Sequence, residues 1–114
     1  MSAAAYMQVD EQAYIEQQYD DVLKLLSDRG YAPGVTMTGG GCYAIMFTPI
    51  PGREVCITDS HGPLAEVRTE QVGWGLGVYN EDEEDVFYEV TADSSPAALL
   101  ALLDKARSAG SFAW

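Results

Sequence analysis

Between Asp10 and Arg29 the apolar residues Ile15, Tyr19, Val22, Leu23 and Leu26 recur at i, i+4, i+7, i+8 and i+11, which places them on one side of an α-helix. Asp10 is positioned to cap the first turn, Glu11 and Glu16 suit the positive end of the dipole, and Gly30 follows Arg29 as a stop in the left-handed region. Residues 1–9 carry no such signal and read as a frayed lead-in.

Beyond the helix the period changes from that of a helix to that of strands. Tyr31 to Gly34 reads as a turn, and Val35 to Thr38 alternates apolar and polar before the triplet Gly39-Gly40-Gly41. The run Cys42 to Thr48 (CYAIMFT) follows as the second arm of a hairpin, apolar on both faces as in a central strand. Pro49-Ile50-Pro51-Gly52 is a second turn, and Glu54 to Asp59 sets Val55 and Ile57 against Glu54, Cys56 and Thr58. Asp59 to Gln71 has no sustained period, contains Gly62-Pro63, and is expected to be a surface loop.

Strand pattern returns in Gly73 to Asn80 (GWGLGVYN), with Trp74, Leu76 and Val78 on one face and Gly73, Gly75 and Gly77 on the other. An acidic turn from Asn80 to Asp85 leads into Val86 to Thr91, with Val86, Tyr88 and Val90 on one side. Ser95 as cap and Pro96 at the first position start a second helix, whose buried stripe is Leu99, Leu100, Leu103 and Ala106 and whose end is Gly110. The apolar tail Ser111-Phe112-Ala113-Trp114 is expected to dock on the body.

Helix, about five short strands and helix, joined by short connections, predict an antiparallel meander flanked in sequence by an N-terminal and a C-terminal helix. The fold class is α+β, a two-layer sandwich in which both helices cover the sheet face carrying Val35, Ile45, Val55, Trp74, Leu76 and Val90. No repeat or linker divides the chain, so residues 1–114 form one domain.

Composition narrows the function. At 47% hydrophobic and 21% charged residues the chain is neither disordered, coiled coil nor collagen-like. Eighteen acidic against six basic residues give −12, which disfavours direct contact with nucleic-acid phosphate or an anionic membrane and leaves basic proteins and cations as partners. No apolar run reaches membrane-span length and the N-terminus lacks signal-peptide features, so a cytoplasmic setting is expected. Cys42 and Cys56 lie inside strands and read as reduced, buried side chains; with His61 they make three zinc donors where a structural site uses about four. No metal or cofactor is expected.

Asp59-Ser60-His61 contains the residue types of a nucleophilic triad, but adjacency and the lack of a G-x-S-x-G turn favour a local turn with His61 exposed. The glycine triplet lacks the helix and lysine of a phosphate cradle. The run Glu81, Asp82, Glu83, Glu84, Asp85 lacks a calcium-loop pattern and reads either as a solubilising turn or, with Asp10, Glu11, Glu16, Asp20, Asp21 and Asp28, as a field that steers basic partners. The stripe Gly73, Gly75, Gly77 calls for a cover, either Tyr43 or Phe87 from a neighbouring strand or a partner seated in a shallow groove.

The strings Thr38 to Ile45 (TGGGCYAI), Gly52 to Asp59 (GREVCITD) and Gly73 to Tyr79 (GWGLGVY) resemble small acidic proteins of unknown function encoded by bacteriophages of actinobacteria. The resemblance spans roughly residues 12–105 and implies a phage accessory protein acting in the host cytoplasm, with no catalytic residues to carry over. Three readings result. The favoured one is a non-enzymatic protein that binds a host or phage protein through its acidic surface, centred on Glu81 to Asp85, and the sheet face at Gly73, Gly75 and Gly77. The second is an acidic nucleic-acid mimic that blocks a DNA-binding host protein, and the third is a small enzyme with its site in the 59–71 loop. Association of the chain with its own copies as a homo-oligomer stays open.

Overall fold

The computed structural model describes the backbone of residues 3–112 and the side chains of residues 11–112. It comprises helices α1 (Ala3–Gln18) and α2 (Asp20–Asp28), strands β1 (Gly34–Gly39), β2 (Cys42–Ile50), β3 (Arg53–Thr58), β4 (Trp74–Tyr79) and β5 (Asp85–Thr91), and helix α3 (Pro96–Ser108). The strands form one antiparallel meander in chain order, β1-β2-β3-β4-β5, which is the α+β arrangement expected.

The N-terminal helix differs from expectation in two ways. It begins at Ala3, so Asp10 lies inside it and is not its cap, and the backbone of 3–9 is helical; Met1 and Ser2 lie outside the described residues. It is also interrupted at Tyr19, whose φ of −107° and ψ of 19° leave the helical region while the bonds Tyr19 N to Ile15 O and Leu23 N to Tyr19 O bridge the break. The stripe itself is as the period requires: Ile15, Tyr19, Val22 and Leu26 are buried and Leu23 packs against them.

Three further helix ends follow their chemistry. Gly30 and Gly110 take φ of 91° and 79°, and each closes a paired C-terminal motif: Gly30 N to Ser27 O with Tyr31 N to Leu26 O, and Gly110 N to Arg107 O with Ser111 N to Ala106 O. At the start of α3 the Ser95 hydroxyl accepts from Ala98 N, and Pro96 takes the first position. Its buried stripe is Leu99, Leu102, Leu103 and Ala106, with Leu102 in the deeper place expected for Leu100. Phe112 is buried in the core; Ala113 and Trp114 of the tail lie outside the described residues.

In the sheet, Gly40 and Gly41 have φ of 59° and 79° between the paired Gly39 and Cys42, the double left-handed conformation of the tight hairpin turn. β2 does not stop at Thr48 but runs through Pro49 to Ile50, with its register shifting between Phe47 and Ile50, where proline brings no ladder donor. The row Val35, Ile45, Ile57, Leu76, Glu89 crosses all five strands on the face that the helices cover. Trp74, Leu76 and Val78 are fully buried on that face with Val55 and Ile57.

The expected core member Val90 lies on the other side. It pairs with Gly75, and Tyr88 pairs with Gly77, so Val86, Tyr88 and Val90 belong to the outer face with the glycines. The covers of that stripe are therefore not Tyr43 or Phe87, which pack in the core: a Cβ on Gly77 would meet Tyr79 Oη at 2.8 Å, and one on Gly75 would meet Asp59 O and Thr58 Oγ1 at 2.9 Å, with Tyr88 Oη beyond them at 3.5 Å. At Gly73 a Cβ would run into the Thr91 carbonyl, a backbone group that has no room to move.

That contrast gives a test by urea unfolding. Gly73→Ala forces the β4–β5 backbones apart and is expected to cost about 3 kcal/mol, whereas Gly77→Ala displaces the end of one tyrosine and costs about 1 kcal/mol. Equal losses would contradict the packing.

Candidate functional site

The 59–73 connection joins two neighbouring strands, yet it does not lie loosely on the surface as expected: Ser60, Leu64 and Gln71 are buried, and residues Arg68–Glu70 form a short 3-10 turn. Asp59 anchors both ends of it. One carboxylate oxygen accepts from Ser60 N at 2.7 Å and Gly73 N at 2.9 Å, the other from Val72 N at 3.2 Å. Partial burial pushes the Asp59 carboxyl up, but the amides of Val72, Gly73 and Ser60 and the Ser60 hydroxyl outweigh it and hold it below its ordinary value. His61 is exposed, and the carboxylate that a triad would turn toward a histidine faces backbone amides instead.

Gln71 fills the space behind Asp59. Its amide nitrogen donates to Gly73 O at 2.7 Å and Thr58 O at 3.3 Å, and its oxygen accepts from Ala65 N at 3.1 Å and from the Tyr19 hydroxyl at 2.7 Å. The hydroxyl also sits 2.7 Å from Ala65 O, so its single proton is shared between two acceptors. Burial keeps Tyr19 far above its ordinary pKa, fixing it as a neutral donor. Arg68 lies over the rings of Trp74 and Tyr19, 5.0 and 5.6 Å from their centres, pairs with Asp21 at 3.3 Å and donates to Ser94 O at 2.7 Å. Trp74 Nε1 donates to Ser95 O at 2.8 Å. Neither Gln71 nor Arg68 stood out in the sequence; the available signal was that a chain with six cations spends one in an aperiodic loop beside a tryptophan strand.

The acidic turn is built by a neutral residue. Asn80 Oδ1 accepts from Asp82 N and Glu84 N, and Glu83 takes φ of 61°, leaving Glu81, Asp82, Glu83, Glu84 and Asp85 exposed. Among the described residues no group of three or more His, Cys, Asp or Glu is placed to hold a metal ion. Gly73, Gly75 and Gly77 lie on the same β4–β5 hairpin as this turn, but they are buried, so the surface next to the acids is made by their covers. That surface presents Tyr88 at 52%, Val90 at 47% and Val86 at 41% exposure, with half-buried Met46, Cys56 and Tyr79 beside them. Burial and the Glu54 charge push the Cys56 thiol up, so it stays protonated and is a poor nucleophile.

On the edge of this hairpin a shallow cleft of about 310 Å³ runs between β5 and α3, lined by Glu89, Val90, Thr91, Asp93, Ala98, Ala101, Leu102 and Lys105. Lys105 pairs with Glu89 at 2.7 Å, Arg107 with Asp104 at 3.9 Å, and Arg53 donates to the carbonyls of Ser111 and Gly52. Most cations are thus engaged locally, and the uncompensated charge is acidic. Among the described residues no helix is long and apolar enough to cross a membrane. No protein-family model, curated protein or solved structure matches the chain.

Asp59 provides a pH test. Its folded-state pKa is depressed, so its stabilisation is present above the ordinary carboxylate range and is lost as pH falls through the depressed value. Asp59→Asn is expected to cost about 1 kcal/mol at neutral pH, discounted for solvent exposure, with the gap to the parent closing in acid. Urea unfolding from pH 7 downward checks this; a gap independent of pH would refute the assignment. Gln71→Leu removes four hydrogen bonds, two of them buried and two part-buried, and is expected to cost about 3 kcal/mol in the same assay.

Proposed function

We propose that this chain is a non-enzymatic interaction domain that binds a basic protein partner through the β4–β5 hairpin, with the acidic turn Glu81 to Asp85 steering the partner and the outer face of Val86, Tyr88 and Val90 receiving it. On the resemblance noted above, the setting is a phage accessory role in the cytoplasm of an actinobacterial host, and the partner a host or phage protein.

The observation that carries this reading is the one-sided sheet. Apolar side chains stand exposed in a row on a face that no helix covers among the described residues, next to five exposed acids. A partner that neutralises the acids and covers the row gains long-range attraction and apolar burial together. The polar groups that chemistry would use are committed elsewhere, Asp59 to backbone amides and Gln71 to a buried network.

The test is capture from actinobacterial lysate with three immobilised proteins: the parent, a variant with Glu81 to Asp85 replaced by their amides, and Tyr88→Ser. At about 0.1 M salt the parent is expected to retain a partner that both variants lose by about tenfold, with retention falling further near 0.5 M as screening shortens. Retention unchanged in both variants would overturn the reading. A partner displaced by duplex DNA would identify the acidic surface as a nucleic-acid mimic instead.

A further inference from the structure

We propose that the free edge of β5 is a strand-pairing site, and that the partner contributes an extended basic segment which adds to the sheet as a sixth strand in the cleft beneath α3. This rests on the reading above and names the part of the surface that makes the specific contact. β5 is the last strand in the sheet order, so alternate N–H and C=O groups of Asp85–Thr91 face no strand among the described residues. The opposite edge is guarded: α1 packs on β1, and the Gln12 side chain donates to Val35 O at 3.0 Å.

The space beside β5 is suited to a strand. Ala98 and Ala101 carry minimal side chains where α3 passes the edge, and the cleft of about 310 Å³ is what they leave open. An incoming strand would place alternate side chains in this cleft against Ala98, Ala101 and Leu102, and the intervening ones beside Val86, Tyr88 and Val90 on the outer face. An open strand edge beside a helix is the geometry of β-augmentation, in which main-chain hydrogen bonds supply affinity and the alternating pockets supply selectivity.

Charge selects the occupant. Among the charged residues lining the cleft Glu89 and Lys105 pair and cancel, which leaves Asp93 as the uncompensated charge, and Glu81 to Asp85 stand at the start of β5. A second copy would bring another net charge of −12 to the same edge, whereas a peptide alternating lysine with small apolar residues sets its lysines toward Asp93 and the acidic turn and its apolar residues beside Val86, Tyr88 and Val90.

The experiment is an NMR titration of the full chain with a synthetic peptide of alternating valine and lysine, matched to the seven residues of β5. Its N-methylated form retains the charge and side chains but loses the main-chain donors. The parent peptide is expected to give saturating shifts in the amides of 85–91 and 98–105. N-methylation and Ala101→Trp, which fills the cleft from an exposed helix position, should each weaken binding by at least about tenfold. Equal affinity for both peptides, or no binding of either, would overturn strand pairing. Shifts confined to Glu81 to Asp85 would also remove it while leaving the acidic-surface reading intact. β5 shifts that grow with protein concentration in the absence of peptide would overturn it in favour of a second copy.

Discussion

The rest of the structure depends on how the chain crosses from β3 to β4. These strands are neighbours, yet the segment between them leaves the sheet, passes against the Tyr19 junction of α1 and α2, and returns beside the strand it left. Irregular backbone at the end of a core brings polar groups that must be paired. Gln71 meets that demand, its two donors and its oxygen all engaged, and Asp59 meets it on the solvent side with three backbone amides. Arg68 then ties the same segment to α2 through Asp21 and to the start of α3 through Ser94 O, while covering the aromatic pair Tyr19 and Trp74. The interruption of the N-terminal helix fits this constraint, because Tyr19 is where helix, loop and sheet share one hydrogen-bond network.

The sheet that results is finished on one side only. Its inner face is buried under the helices, while its outer face holds Gly77 roofed by Tyr79, Gly75 closed over by Thr58 and the Asp59 carbonyl with Tyr88 beyond, and a row of exposed valine and tyrosine. The tyrosines resolve a local conflict. Glycine in a strand leaves a gap, and a ring laid over it from the same or the adjacent strand fills the gap without a second layer. The cost is apolar surface left in water, which sets where a partner gains most by binding.

Much of this was legible in the chain itself, and the limits were physical. Helical spacing from Ile15 to Leu26, alternation in β3 and β4, the Ser95-Pro96 start and the glycine stops each act within a few residues, so the local pattern determines them. The side of the sheet taken by β5 is not local. Val86, Tyr88 and Val90 are the apolar set and alternate with Phe87, Glu89 and Thr91, so alternation alone points to the wrong face; the pairing of Val90 with Gly75 decides, and it depends on the bulged register around the acidic turn. The helical start at Ala3 has no acid in its first turn to announce it, and Gln71 and Arg68 act through partners roughly 50 residues away, Tyr19 and Gln18, beyond the reach of any window.

Acidity and the one-sided sheet belong to the same problem. A strand edge with exposed valine and tyrosine beside it is a template for uncontrolled pairing between copies, and soluble proteins blunt such edges with charge. Here one edge is guarded by α1, and the other begins at five consecutive acids on a chain of net charge −12. Like charge repels at distances of about a Debye length, ~8 Å at physiological salt, without filling the cleft or capping the edge. A bulge or a proline in β5 would have protected it against every partner alike. On the proposed reading, protection by charge discriminates: it disfavours acidic chains and favours basic ones. On that reading the acids that oppose pairing between like-charged copies are the same ones that admit a strand of the opposite sign.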